Sequence, residues 1–208
     1  MPMEADWEIE IGPSAPILEG RWDGFVDLRE HPGGASNQVW PLIRKRVQHL
    51  SEVEQFPAMA EALVRLNGFP SPVWTSKCDV WQLPGRIDLD PDEMNAQPEE
   101  TASAWACYID LLPTSDQQWG HRWEGSPRVP TMAVQWCKAI CARLSSMPLR
   151  CCRADLVIRL ASIAPEQMDI GVTAYVTACG STSDHAKAML STALARFVDG
   201  FESITKVE

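Results

Sequence analysis

A chain of 208 residues that is 45% hydrophobic and carries nine tryptophans can bury the core of one large domain, which excludes disorder. Its formal net charge of −10 excludes the broad basic face that a duplex-binding protein needs, since "RKR" at Arg44–Arg46 is the one compact basic run, and a basic protein is the better electrostatic match. Apolar runs too short for a bilayer, an acidic start without a leader's basic and apolar regions, and seven irregularly spaced cysteines give the expectation of a cytoplasmic protein with reduced thiols and no membrane span.

In chain order, "DWEIEIG" alternates Trp7, Ile9 and Ile11 against Asp6, Glu8 and Glu10, the period of a strand with one wet face. "RWDGFVDLR" predicts a second strand, and the glycine-rich "HPGGASN" a loop. Trp40 to Leu50 reads as a helix with Pro41 in its first turn. Ser51 and Glu54 have the spacing of a capping box for another helix, although Pro57 moves its start toward Phe56; Asn67 and Gly68 supply its stop.

From Ser71 onward the chain reads as one unit given twice. "VWTSKCDVWQL" and "WACYIDLL" are strands joined through a loop containing "PDEM", followed by a helix from Thr131 to Met147. "LRCCRADLVIRL" and "VTAYVTAC" are strands joined through "PEQM", followed by a helix from Ser183 to Phe201. The two tyrosines, Tyr108 and Tyr175, fall at matching places in the second strand of each unit. The expected fold is α+β within a single globular domain, 1–208. A mainly antiparallel sheet built from two β-β-α units, 71–147 and 148–208, carries helices on one face, and N-terminal strands and helices over 1–70 extend it.

Side-chain parity then divides each strand into two faces. Cys152, Ala154, Leu156, Ile158 and Leu160 share one face, with Cys151 and Val157 on the other, so the adjacent cysteines point opposite ways and no vicinal redox pair is expected. Trp105, Cys107, Ile109 and Leu111 are inner, as are Val172, Ala174, Val176 and Ala178, and in the first strand Trp74, Cys78 and Val80. The opposite face gathers Lys77, Asp79, Tyr108, Asp110, Arg153, Asp155, Arg159, Tyr175 and Thr177 as candidate ligand-binding residues. Two readings stand for it: a solvated sheet surface with cross-strand charge pairs, or a recognition surface in which tyrosine and arginine supply contact area and directed hydrogen bonds.

Other constellations are weaker. "DLDPDEMNAQPE" places Asp88, Asp90, Asp92 and Glu99 in a calcium-loop count but has Glu93 where that loop requires glycine. "ACGSTSDHA" sets Cys179 before a helix N-terminus, where free N–H groups lower a thiol's pKa, but His185 stands where a cysteine phosphatase would have arginine; Thr182 or Ser183 simply capping the helix is the plainer reading. Trp119, His121, Trp123 and Glu124 form an aromatic loop between the repeats. Cys137 and Cys141, one helical turn apart, suit a buried helix face better than half a zinc site. No cofactor or metal is expected. The functional expectation is a non-enzymatic binding or protein-interaction module, with a protein or small-molecule partner and a homodimer as a possibility; the alternative is a small cysteine-dependent enzyme using Cys179 with His185.

Overall fold

The computed structural model describes residues 2–19, 39–68, 71, 73–83, 89–113, 131–164 and 167–205. The expected strand at 21–29, the glycine-rich loop and the tryptophan loop around Trp119 lie outside them. Among the described residues the fold is α+β, with a mixed sheet of six strands and five helices. The strands are β1 (Glu4–Ile9), β2 (Leu18–Glu19), β3 (Val73–Gln82), β4 (Ser103–Pro113), β5 (Cys152–Ala164) and β6 (Gln167–Gly180). The helices are α1 (Val39–Val47), α2 (Ser51–Gln55), α3 (Ala58–Asn67), α4 (Thr131–Leu144) and α5 (Ser183–Thr205), with a 3-10 turn at Pro98–Thr101. No helix among the described residues is long and apolar enough to cross a membrane.

The spatial order is β1-β5-β6-β4-β3, with β2 also on β5. Pairing is antiparallel from β3 through β4 and β6 to β5, and Tyr108 sits directly opposite Tyr175. β1 and β2 depart from the antiparallel expectation, because both run parallel to β5. Alternation along a strand identifies its wet face but says nothing of the direction of its neighbour.

One face of the sheet carries the core. Cys107, Ile109 and Leu111 of β4, Val172, Ala174 and Val176 of β6, and Cys152, Leu156 and Ile158 of β5 are buried in one cluster with the helices. From α5, Ala186, Leu190, Ala193, Leu194, Phe197 and Phe201 meet them at the three- and four-residue spacing of a helix stripe. Cys137 and Cys141 belong to the equivalent stripe of α4, beside Ala133, Ile140 and Leu144. Arg65 ties α3 to α5, donating from Nε to Glu202 at 2.8 Å and from Nη2 to Asp199 at 2.9 Å.

Trp74 is a correction to the parity scheme. The β3–β4 register shifts between Thr75 and Cys78, a bulge that puts an extra residue into β3 and reverses the alternation before it. Val73 therefore enters the main core, and Trp74 joins Leu18, Leu112 and Ala161 in a separate cluster. The bulge is held by buried Asn67 at the end of α3, whose Nδ2 donates to Leu63 O and Thr75 Oγ1, both at 2.8 Å, while its Oδ1 accepts the Thr75 N–H at 2.9 Å. Ser51 is not the expected cap either: Leu50 holds the N-cap position without a side-chain hydrogen bond, and Ser51 Oγ donates to Glu52. Pro57 separates α2 from α3, and the carbonyl of Glu52 ends the first of them by accepting the Phe56 N–H.

Candidate functional site

Opposite the core, the sheet face is walled at both ends. Leu18, Trp74, Leu112 and Ala161 cluster at one end; Met94, Ala104, Cys151 and Cys179 cluster at the other, beneath the segment after residue 89. Between them lies a polar stripe whose aromatic rings form a ladder across the strands. Trp81 of β3 lies 6.3 Å from Tyr108 of β4, Tyr108 lies 6.1 Å from Tyr175 of β6, and the Arg159 guanidinium of β5 sits 5.7 Å from the Tyr175 ring centroid. Tilted rings at such spacing and a cation beside the last one are favourable contacts beyond their buried area.

Hydrogen bonds extend this ladder into a relay. Arg159 donates to Glu10 Oε2 from Nε at 2.9 Å and from Nη2 at 2.6 Å. Its Nη1 donates to Thr173 Oγ1 and to the Tyr175 hydroxyl, both at 3.1 Å, and Thr173 Oγ1 donates onward to Asp110 Oδ1 at 2.7 Å. Arg153 pairs with Asp155, its Nε 2.8 and 2.9 Å from the two carboxylate oxygens, and reaches Glu93 at 3.4 Å. Both guanidiniums are thereby neutralised by carboxylates of this chain.

Burial raises the Asp110 carboxyl above its ordinary range, and the Thr173 hydrogen bond and the Arg159 charge offset only part of that. Burial, then Asp110 and Asp79, push the Tyr108 hydroxyl up to about 12. A carboxyl whose native pKa is raised binds more protons in the folded than in the unfolded protein across the intervening pH window, so stability falls as pH rises through it. Asp110→Asn keeps an acceptor for Thr173 and cannot ionise. We expect it to melt above the wild type at pH 7, with the gap closing as pH is lowered below about 4, where the carboxyl is protonated in both states; a melting series against pH checks this.

A groove of about 640 Å³ opens beside the relay. Arg153, Asp155 and Arg159 of β5 and Tyr175 and Thr177 of β6 line it, as the strand parity predicts for that face. Lys77, Asp79, Tyr108 and Asp110 share the face but lie on β3 and β4, outside the groove lining; Lys77 pairs with Glu19 of β2. The remaining acidic wall, Asp6 and Glu8 of β1 with Asp90 and Glu93 of the loop, is absent from the sequence-predicted set. Its signal was present in the acidic alternation of "DWEIEIG" and in "DPDEM", and only the parallel seating of β1 on β5 brings the two together.

Cys179 and His185 are not brought together as a nucleophile and base. Cys179 is fully buried, and burial, with neighbouring Cys151 next, pushes its thiol up to about 12, so the expected lowering by the helix terminus is overturned. Thr182 caps α5, its Oγ1 accepting the His185 N–H at 3.2 Å, and the His185 side chain is exposed. Among the described residues no three His, Cys, Asp or Glu side chains are grouped to hold a metal ion. Comparison of the chain with protein-family models, with curated proteins and with solved structures finds no match.

Proposed function

We propose that the protein is a binding module whose working surface is the groove between β1, β5, β6 and the loop from Leu89 to Met94. The observation that carries this is the groove itself: a concavity of about 640 Å³ lined by charged side chains together with Tyr175 and Met94. Such volume falls within the range of ligand sites, and tyrosine and arginine are the side chains on which recognition energy concentrates. A flat solvated sheet face would not offer that volume.

The scaffold reading accompanies it. The runs β3-β4-α4 and β5-β6-α5 have the same order of elements, and Tyr108 opposite Tyr175 at the seam of β4 and β6 supports an internal duplication. In that arrangement, among the described residues, β1 is added to the β5-β6 half, and the added strand deepens the face into a groove there.

Filling the groove tests the proposal. Thr177 lines it from β6 and is partly exposed, so Thr177→Trp occupies the space without touching the helix-side core. The variant should melt within about 2–4 °C of the wild type, corresponding to roughly 1 kcal/mol. Small molecules and short peptides found to bind the wild type by ligand-observed NMR should lose binding to it. Ligands that bind both proteins equally would move the site elsewhere.

A further inference from the structure

The groove's charge is out of balance in a way that selects its occupant. Asp6, Glu8, Asp90, Glu93 and Asp155 line it against only Arg153 and Arg159. Arg153 is engaged by Asp155 and Glu93, and Arg159 by Glu10, so neither guanidinium is available for an incoming anion without breaking a contact. Asp6, Glu8 and Asp90 are left, and among the described residues none of them is in an ion pair; Asp6 and Asp90 accept only local backbone N–H groups, from Trp7 and Asp92.

The β1–β5 register sharpens the point. Asp6 stands directly beside Asp155, and Glu8 follows on the same face one alternation along. Like charges abreast on paired strands are destabilising. Asp155 shows it: burial raises its carboxyl, Arg153 pulls it down, and Asp6 and Glu8 push it up again. Within the chain Arg153 offsets part of this repulsion, being attracted by Asp155, Glu93 and Asp6, and a further cation set between the carboxylates relieves the rest. The chain's net charge of −10 adds a long-range field of the same sign that steers cations toward it.

We infer that the occupant of the groove is a lysine- or arginine-bearing segment of a basic protein, with its cationic side chains seated between Asp6, Glu8 and Asp90 and its backbone lying along the face toward Tyr175. This rests on the groove being the binding surface. A polypeptide fits better than a compact amine, because the lining runs from the acidic wall to the partly exposed Leu89 and Tyr175, which call for apolar contact beside the charge.

Three twelve-residue peptides serve as probes: one alternating lysine and arginine with serine and leucine, one with glutamate in place of the basic residues, and one neutral with tyrosine. Binding is followed by amide chemical shifts of the ¹⁵N-labelled full chain at low and high salt. The basic peptide is expected to shift amides of β1 and of the 89–94 loop, to weaken strongly between about 50 and 500 mM salt, and to bind about tenfold more weakly to Asp6→Asn/Glu8→Gln. That tenfold corresponds to about 1.4 kcal/mol. Asp6→Asn alone should melt no lower than the wild type, because it removes a like-charge neighbour of Asp155, and this separates lost recognition from lost folding. Shifts in the groove from the neutral or acidic peptide alone would overturn the cationic occupant and keep the groove. Basic-peptide binding undiminished in the double variant, or mapped elsewhere, would also overturn it. No groove shifts from any peptide would overturn this inference, while small-molecule binding lost in Thr177→Trp would still uphold the groove.

Discussion

Asn67→Leu is expected to lower the melting temperature by about 6–12 °C, equivalent to roughly 3 kcal/mol for a chain of this size. Leucine has the same number of side-chain heavy atoms but is larger, so at a site that is 1% exposed no cavity is created, and the loss reports on polarity together with some crowding by the two methyls. What disappears is the bracket on the β3 bulge: the acceptor for the Thr75 N–H and the donor to Thr75 Oγ1 and Leu63 O. Thr75 and Ser76 are fully buried, and a buried backbone donor that loses its acceptor keeps its full desolvation penalty. Adding Thr75→Val should recover only part of the loss, since the backbone N–H remains. A leucine variant that melts with the wild type would show the bulge to be held by strand pairing alone.

Gly180→Ala should cost about 2–3 kcal/mol, the range for forcing atoms into a packed interior, and lower melting by about 5–10 °C. A Cβ at Gly180 would lie 2.6 Å from the Ala186 amide nitrogen and 3.0 Å from the His185 carbonyl carbon. Both are main-chain atoms of the first turn of α5, so no side-chain rotation relieves the clash and the helix start must move. That start is fixed by the Thr182 cap and by Trp105 Nε1 donating to Ser183 Oγ at 3.0 Å. Gly12→Ala is the control, because a Cβ there meets nothing within 4 Å. Thermal melts of the pair separate crowding at the β6–α5 junction from the general entropic effect of replacing glycine.

The strands of the central sheet were legible because alternation is a local property. Ile109 against Tyr108, and Val176 against Tyr175, divide the two faces without reference to any partner. Trp74 was misplaced because the extra residue at the bulge resets the parity, and nothing in "VWTSKC" marks where it occurs. β2, a two-residue strand, is too short to carry a period. The site was half legible for the same reason: its floor of Arg153, Asp155, Arg159, Tyr175 and Thr177 follows from parity, whereas its acidic wall depends on which strand β1 joins and in which direction. Cys179 was read from its local setting alone, and the structure buries it. Helix-terminus chemistry requires access, and the covering by Met94, Ala104 and Cys151 arises from chain segments far from it in sequence.

The parallel seating of β1 on β5 also sets an order of events when the chain folds. Glu10 and Arg159 are 149 residues apart, so, among the described residues, the strand on which β1 pairs does not exist until most of the polypeptide has been made. Helical turns and the β3–β4 hairpin can form from near neighbours, but closing so long a loop demands that its entropy be overcome before any contact rewards it. β1 is therefore expected to join late, and it brings Asp6 and Glu8, its share of the acidic wall, with it. A nascent chain ending short of β5 has no groove at all, and in refolding the groove should be among the last features to form.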